Sequence, residues 1–194
     1  MRRLLVALVA TVVVAAWLSP ARAATTPSAS LVAGASRNAA LGDAPTTSAA
    51  GAASPRASAK GRKGQTLTVT PTSRLSAYGQ TVRVQGRGFS ELVGIYVGLC
   101  VMPRAGAKPT PCGGGADQDG SSMASAWISS NPPPYGANLA IPYKRGGAFS
   151  VRIKVSPRIG SYDCRVVRCA IVARADHLRA NDRTWDVAVP VTFR

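Results

Sequence analysis

Phe149-Ser150-Val151-Arg152-Ile153-Lys154-Val155 sets four apolar side chains, Phe149, Val151, Ile153 and Val155, on one side of an extended chain and Ser150, Arg152 and Lys154 on the other. A period of two with β-branched residues predicts a strand over Ala148–Val155, one face in a core and the other in water. The same alternation recurs outward from it. Trp185, Val187, Val189, Val191 and Phe193 share a face near the C-terminus, and Ile95, Val97, Leu99 and Val101 oppose Tyr96, Gly98 and Cys100. Val82 and Val84 flank Arg83 within Thr81–Gln85, and shorter β-rich runs cover Leu67–Thr70, Ala124–Ser129 and Cys169–Arg174. Pro190 has no N–H for a ladder, which predicts a sheet edge or a bulge there. No part of 67–194 combines helical periodicity with caps. Seven strands separated by Gly, Pro, Ser and Asn therefore predict an all-β, immunoglobulin-like, seven-stranded antiparallel sandwich. The usual inter-sheet Cys…Trp…Cys spacing is absent.

Upstream of the strands the texture changes twice. Arg2 and Arg3, an apolar run from Leu4 to Leu18 and the small-x-small ending Ala21-Arg22-Ala23 predict a signal peptide over 1–23 and a secreted, extracellular or envelope-associated protein. The apolar run is too short to span a bilayer, so no membrane span is expected after cleavage. Residues 24–66, rich in Ala, Ser, Thr, Pro and Gly, are expected to form a disordered linker open to proteases, which leaves 67–194 as the domain. Export also governs Cys100, Cys112, Cys164 and Cys169, because thiols in an oxidising compartment pair with one another. Three connectivities exist; Cys100–Cys112 with Cys164–Cys169 closes the shortest loops, each worth about 2–3 kcal/mol in the chain-entropy model. A Cys₄ zinc site would need C-x₂-C spacing, which is missing.

The chain carries 24 Lys and Arg against 8 Asp and Glu, a net charge of +16, with a single histidine. So few acids and imidazoles argue against catalysis by an acid pair or a multi-His metal centre, and no enzyme activity is expected. His177 beside Asp176 reads as a structural hydrogen-bonder, and no G-x-S-x-G elbow accompanies it. Asp176, Asp182 and Asp186 among Arg174, Arg179 and Arg183 read as an ion-paired loop. Gly115-Ala-Asp-Gln-Asp-Gly120 holds a fragment of a calcium loop without the closing Glu, so no metal is expected. Asn131-Pro-Pro-Pro-Tyr135 is stiff, either a docking ridge or a crossover. Lys144, Arg145, Arg152, Lys154, Arg158, Arg165 and Arg168 are opposed locally only by Asp163, a candidate basic stripe for nucleic acid or an anionic cell-wall polymer. Without interleaved aromatics, DNA contact there would be sequence-blind. Tyr96, Tyr135, Tyr143, Trp127 and Met102 are candidates to line an apolar cleft near Cys100 and Cys112.

Leu67-Thr-Val-Thr-Pro71, Gly79-Gln-Thr-Val-Arg-Val-Gln-Gly86, Gly94-Ile-Tyr-Val-Gly-Leu-Cys100, Asp163-Cys164 with Cys169, and Val187-Ala-Val-Pro-Val-Thr-Phe193 together resemble the neocarzinostatin family of secreted actinobacterial apoproteins. The resemblance implies a seven-stranded sandwich, two local disulfides, and a cleft beside the first of them that holds an antibacterial, DNA-cleaving enediyne chromophore. With the aromatics read above, the candidate cleft comprises Tyr96, Cys100, Met102, Cys112, Trp127 and Arg174. Met102 stands where the family's carriers have an aromatic residue, and Arg174 where they have a small polar one. Ala126-Trp-Ile-Ser-Ser-Asn-Pro-Pro-Pro-Tyr-Gly136 and Arg174-Ala-Asp-His-Leu-Arg-Ala-Asn-Asp-Arg183 are similar to strings in related actinobacterial surface modules, some joined to haem-uptake domains. These imply an alternative: an envelope or adhesion module that binds anionic polymers or a partner protein, with haem held through a tyrosine or His177. A monomer is expected in either case.

Overall fold

The computed structural model describes residues 54–114 and 121–194. The expected signal peptide, most of the expected linker and the Gly115–Gly120 calcium-loop fragment lie outside the described residues.

Among the described residues ten strands appear in chain order: β1 (Ala57–Lys60), β2 (Thr66–Thr70), β3 (Gln80–Arg87), β4 (Ile95–Val101), β5 (Ser125–Ile128), β6 (Phe149–Val155), β7 (Arg158–Ile159), β8 (Tyr162–Asp163), β9 (Cys169–Ala175) and β10 (Val187–Val191). A first sheet runs in the order β1-β2-β3-β6, a second in the order β10-β9-β4-β5, and β7 and β8 form a small hairpin. Every strand pairing in both sheets is antiparallel. Each of the seven expected strands has its counterpart, and β1 and the β7–β8 hairpin exceed the expected count of seven; the molecule is an antiparallel β-sandwich. Two short 3₁₀ turns, Pro134–Gly136 and His177–Arg179, are the helical elements among the described residues.

Alternation builds the core. Leu67 and Val69 of β2, Val82 and Val84 of β3, and Val151 and Ile153 of β6 pack against Ile95, Val97 and Leu99 of β4, Ile171 of β9 and Val187 and Val189 of β10. Pro190 sits opposite Ala170 on β10, an edge strand, where its missing N–H breaks no ladder. The disulfides are Cys100–Cys112 and Cys164–Cys169, the two shortest loops.

The expected domain boundary at Leu67 needs correction. Ala57–Lys60 pairs with Thr66–Thr70 in register, and Ala57 and Ala59 pack against the core. Its small residues hid this strand in a compositionally simple stretch, because alanine gives almost no alternation of hydrophobicity. Gln65, also assigned to the linker, is fully buried, and its side-chain amide donates to the Thr184 carbonyl at 3.0 Å.

Candidate functional site

The second sheet has one face in the core and an outer face that carries the candidate cleft residues. Pairing sets Trp127 of β5, Tyr96 of β4 and Arg174 of β9 side by side in one row. The next row holds Ser125, Gly98, Val172 and Ala188, and the one after it holds Cys100, Ala170 and Pro190. Cys112 reaches Cys100 through the disulfide, in a segment laced to β4 by Gly113 N–H to the Leu99 carbonyl at 2.7 Å and Val101 N–H to the Pro111 carbonyl at 3.0 Å. Tyr96, Cys100, Met102, Cys112, Trp127 and Arg174 thus occupy one face. Cys100, Ala170 and Val172 form a small buried apolar cluster there, with Met102, Cys112 and Ala188 packed against it.

At the other end of the face stands an aromatic group. The Tyr96 and Trp127 rings lie 6.0 Å apart, and His177 stacks on Tyr96 at 5.9 Å and meets Trp127 edge-on at 5.3 Å. Trp127 Nε1–H donates to Asp176 Oδ2 at 3.0 Å, while Asp176 Oδ1 accepts from Leu178 N–H at 3.0 Å and caps the following turn. The Tyr96 hydroxyl lies 2.5 Å from His177 Nδ1 and the Tyr135 hydroxyl 2.6 Å from Nε2. A neutral imidazole has one donor and one acceptor, so one phenol donates to the ring and the other accepts from it. Burial, then the Asp176 carboxylate, raises the pKa of Tyr96 above its ordinary value. His177 is thereby a hydrogen-bonded support for two tyrosines. Both its nitrogens are engaged, so binding haem iron through it would require one of these bonds to break.

Arg174 introduces charge. Its guanidinium lies over the Tyr96 ring at 5.9 Å and is half-buried; burial, then Arg183, lowers its pKa, although a guanidinium stays protonated. No hydrogen bond ties it to any described residue. Beside it Arg183 Nη1–H donates to Asp186 Oδ2 at 3.0 Å, while Arg183 Nε and Asp186 Oδ1 are buried without a partner among the described residues. Burial pushes the Asp186 carboxyl up to about 6 despite Arg183 and Arg174 nearby. The expected ion-paired loop is therefore one pair, Arg183–Asp186, while Asp176 binds Trp127 and Asp182 accepts from Thr184 N–H.

One expectation fails here. Tyr143 is not in the cleft: it is buried in the main core, donates its hydroxyl to the Val93 carbonyl at 3.0 Å, and has its pKa raised by burial. The seven residues of the candidate basic stripe are spread over several elements. Lys144 and Arg145 belong to a turn closed by Lys144 and Ala148, and Arg152 and Lys154 lie on the outer face of the first sheet. Arg158 and Arg165 both reach Asp163, whose carboxyl is held far below the usual carboxylate range, chiefly by hydrogen bonds from Arg165. Arg168 lies beside Met102, whose N–H donates to its carbonyl at 2.8 Å. Residues close in sequence diverged because the chain between them crosses from one sheet to the other. Sequence reasoning also missed Ala170, Val172 and Ala188, although alternation back from Arg174 along β9 points to the first two.

No protein-family profile and no curated protein matches the chain. Among solved structures the chain is similar to macromomycin, a member of the neocarzinostatin family. The identity is 21%, the alignment covers 67% of this chain and 99% of that one, and the TM-score is 0.42.

Proposed function

We propose that the chain is a secreted, non-enzymatic binding protein that holds a small flat ligand on the outer face of its second sheet. One observation carries this reading. Side chains from β4, β5, β9 and the Cys112 segment gather on a face with an apolar floor of Met102, Cys112 and Ala188 packed over the buried Cys100, Ala170 and Val172, an aromatic wall of Tyr96 and Trp127, and a half-buried guanidinium with no hydrogen-bonding partner among the described residues. An apolar surface with a few placed polar groups is the usual chemistry of a small-molecule site. Arg174 favours a ligand bearing an acidic or enolic oxygen, since an anion satisfies the guanidinium that the fold leaves unpaired. The sequence resemblance to the neocarzinostatin family supports the same class of carrier. Antibacterial or DNA-directed action would then belong to the cargo. Two disulfides suit an oxidising compartment outside the cytosol.

Protein purified from its own secretion medium should release an aromatic small molecule in native mass spectrometry. Ligand-free protein should bind 2-naphthoate with a change in tryptophan fluorescence, and Arg174→Gln should weaken that binding by about tenfold, the loss expected for one charge-assisted hydrogen bond. Protein that carries no ligand and does not respond to naphthoate would refute the carrier reading. The alternative of an envelope module draws on the opposite sheet.

A further inference from the structure

We infer that the outer face of the first sheet binds a flexible phosphodiester polymer of the polyol phosphate type, independently of any ligand on the second sheet. Antiparallel register sets Thr70 beside Arg83 and Arg83 directly opposite Arg152, and one further step of the β1–β2 register sets Arg56 beside Thr70. Three arginines therefore share one row across four strands. Lys154 faces Thr81 on one side of that row, and Lys60, Thr66 and Arg87 form a parallel row on the other. No Asp or Glu occurs in any of these four strands. The carboxylates with assigned contacts are committed elsewhere: Glu91 accepts from Gly147 N–H, Asp163 holds Arg165, Asp176 accepts from Trp127, Asp182 from Thr184 N–H, and Asp186 holds Arg183.

Like charges at facing positions of a sheet raise its free energy, and Arg83 faces Arg152 without an acid between them. An anion lying in the row removes that repulsion and stabilises the native state. The row also lines a groove of about 570 Å³, whose walls include Ser54, Arg56, Thr70, Arg83, Gln85 and Arg152. A single phosphate would use only one pair of these cations. With strands about 4.8 Å apart, the arginine row extends roughly 14 Å across the sheet, and Arg83 to Arg87 covers roughly 13 Å along it, which suits a chain of repeated charges. Between the cations stand Thr70, Thr81, Gln85 and Ser150, groups that both donate and accept hydrogen bonds. A ligand that alternates phosphates with hydroxyls matches this alternation. The four strands present no aromatic side chain on this outer face, so a nucleic acid would find no platform for its bases.

The test is fluorescence anisotropy of the full chain with a labelled glycerol phosphate decamer. Binding is expected at low salt, weakening steeply as NaCl is added. Arg83→Gln/Arg152→Gln should raise Kd about tenfold or more while Tm stays equal or rises, because removing the facing charges relieves repulsion. Arg158→Gln/Arg165→Gln removes the same net charge and should leave Kd within about twofold, since both side chains lie beside Asp163 and outside the arginine row. Absence of binding would overturn the proposal. So would an equal loss in the two variants, which would mean that net charge alone attracts the polymer. Tighter binding of a dT₁₀ oligonucleotide than of the decamer would name nucleic acid as the partner instead.

Discussion

Trp127 holds its place because two neighbouring positions carry no side chain. A Cβ on Gly136 would overlap the six-membered ring of Trp127, and one on Gly94 would strike Asp176 Oδ2, the acceptor of the indole N–H. Gly136→Ala should therefore destabilise the protein by about 1–3 kcal/mol through overpacking. It should also shift the tryptophan emission, which denaturant melts followed by fluorescence would report together. Asp186 belongs to the same scale. Its folded pKa, about 6, lies above the ordinary carboxylate value because of burial. Its favourable contribution is complete below the unfolded pKa and is lost as pH rises through 6. Urea midpoints should accordingly fall more between pH 4 and pH 7 for the wild type than for Asp186→Asn; equal falls would assign the pH dependence to another group. The sequence pointed to an ion pair at Asp186 but not to its burial, and Gly94 and Gly136 gave no sign of the ring they make room for.

Strands with alternating apolar residues declared themselves, and those without did not. β6, β4 and β10 were readable because Val and Ile alternate with charged or small residues, whereas β1 is Ala-Ser-Ala-Lys and gives no such contrast. Its stability comes from pairing with β2 and from Ala57 and Ala59 under the sandwich edge. Deleting residues 1–60 should lower Tm by several degrees compared with deleting 1–53, since the first cut uncovers β2 and the core beneath it. Identical melting of the two fragments would make β1 dispensable. The Cys100–Cys112 bond works at the same level, pinning a loop of twelve-residue separation beside β4. Replacing both cysteines by serine should cost about 3 kcal/mol by the chain-entropy argument and weaken naphthoate binding as well, because Cys112 leaves the apolar floor. The Cys164–Cys169 bond closes a loop near Asp163 with both sulfurs in the main core, on the opposite side of the sheet from that floor, and its loss should affect stability more than binding.

The whole molecule presents two chemically different outer faces on one core. One is apolar and aromatic with a single half-buried guanidinium; the other is hydroxyl-rich and cationic with no acid on its strands. Alternation along each strand was enough to predict this division into inner and outer sides and the all-β class, because those depend on the period of the pleat, while loop length and an oxidising compartment pointed to the two local disulfides. Grouping of outer residues into sites was beyond its reach. Arg152 and Arg158 are close in sequence, yet one joins Arg83 and Arg56 while the other turns to Asp163. Arg56 and Arg152, far apart along the chain, line one groove. Side-chain period fixes which face a residue takes, but sheet order and register fix its neighbours on that face. Those are set only when distant strands close on a common core.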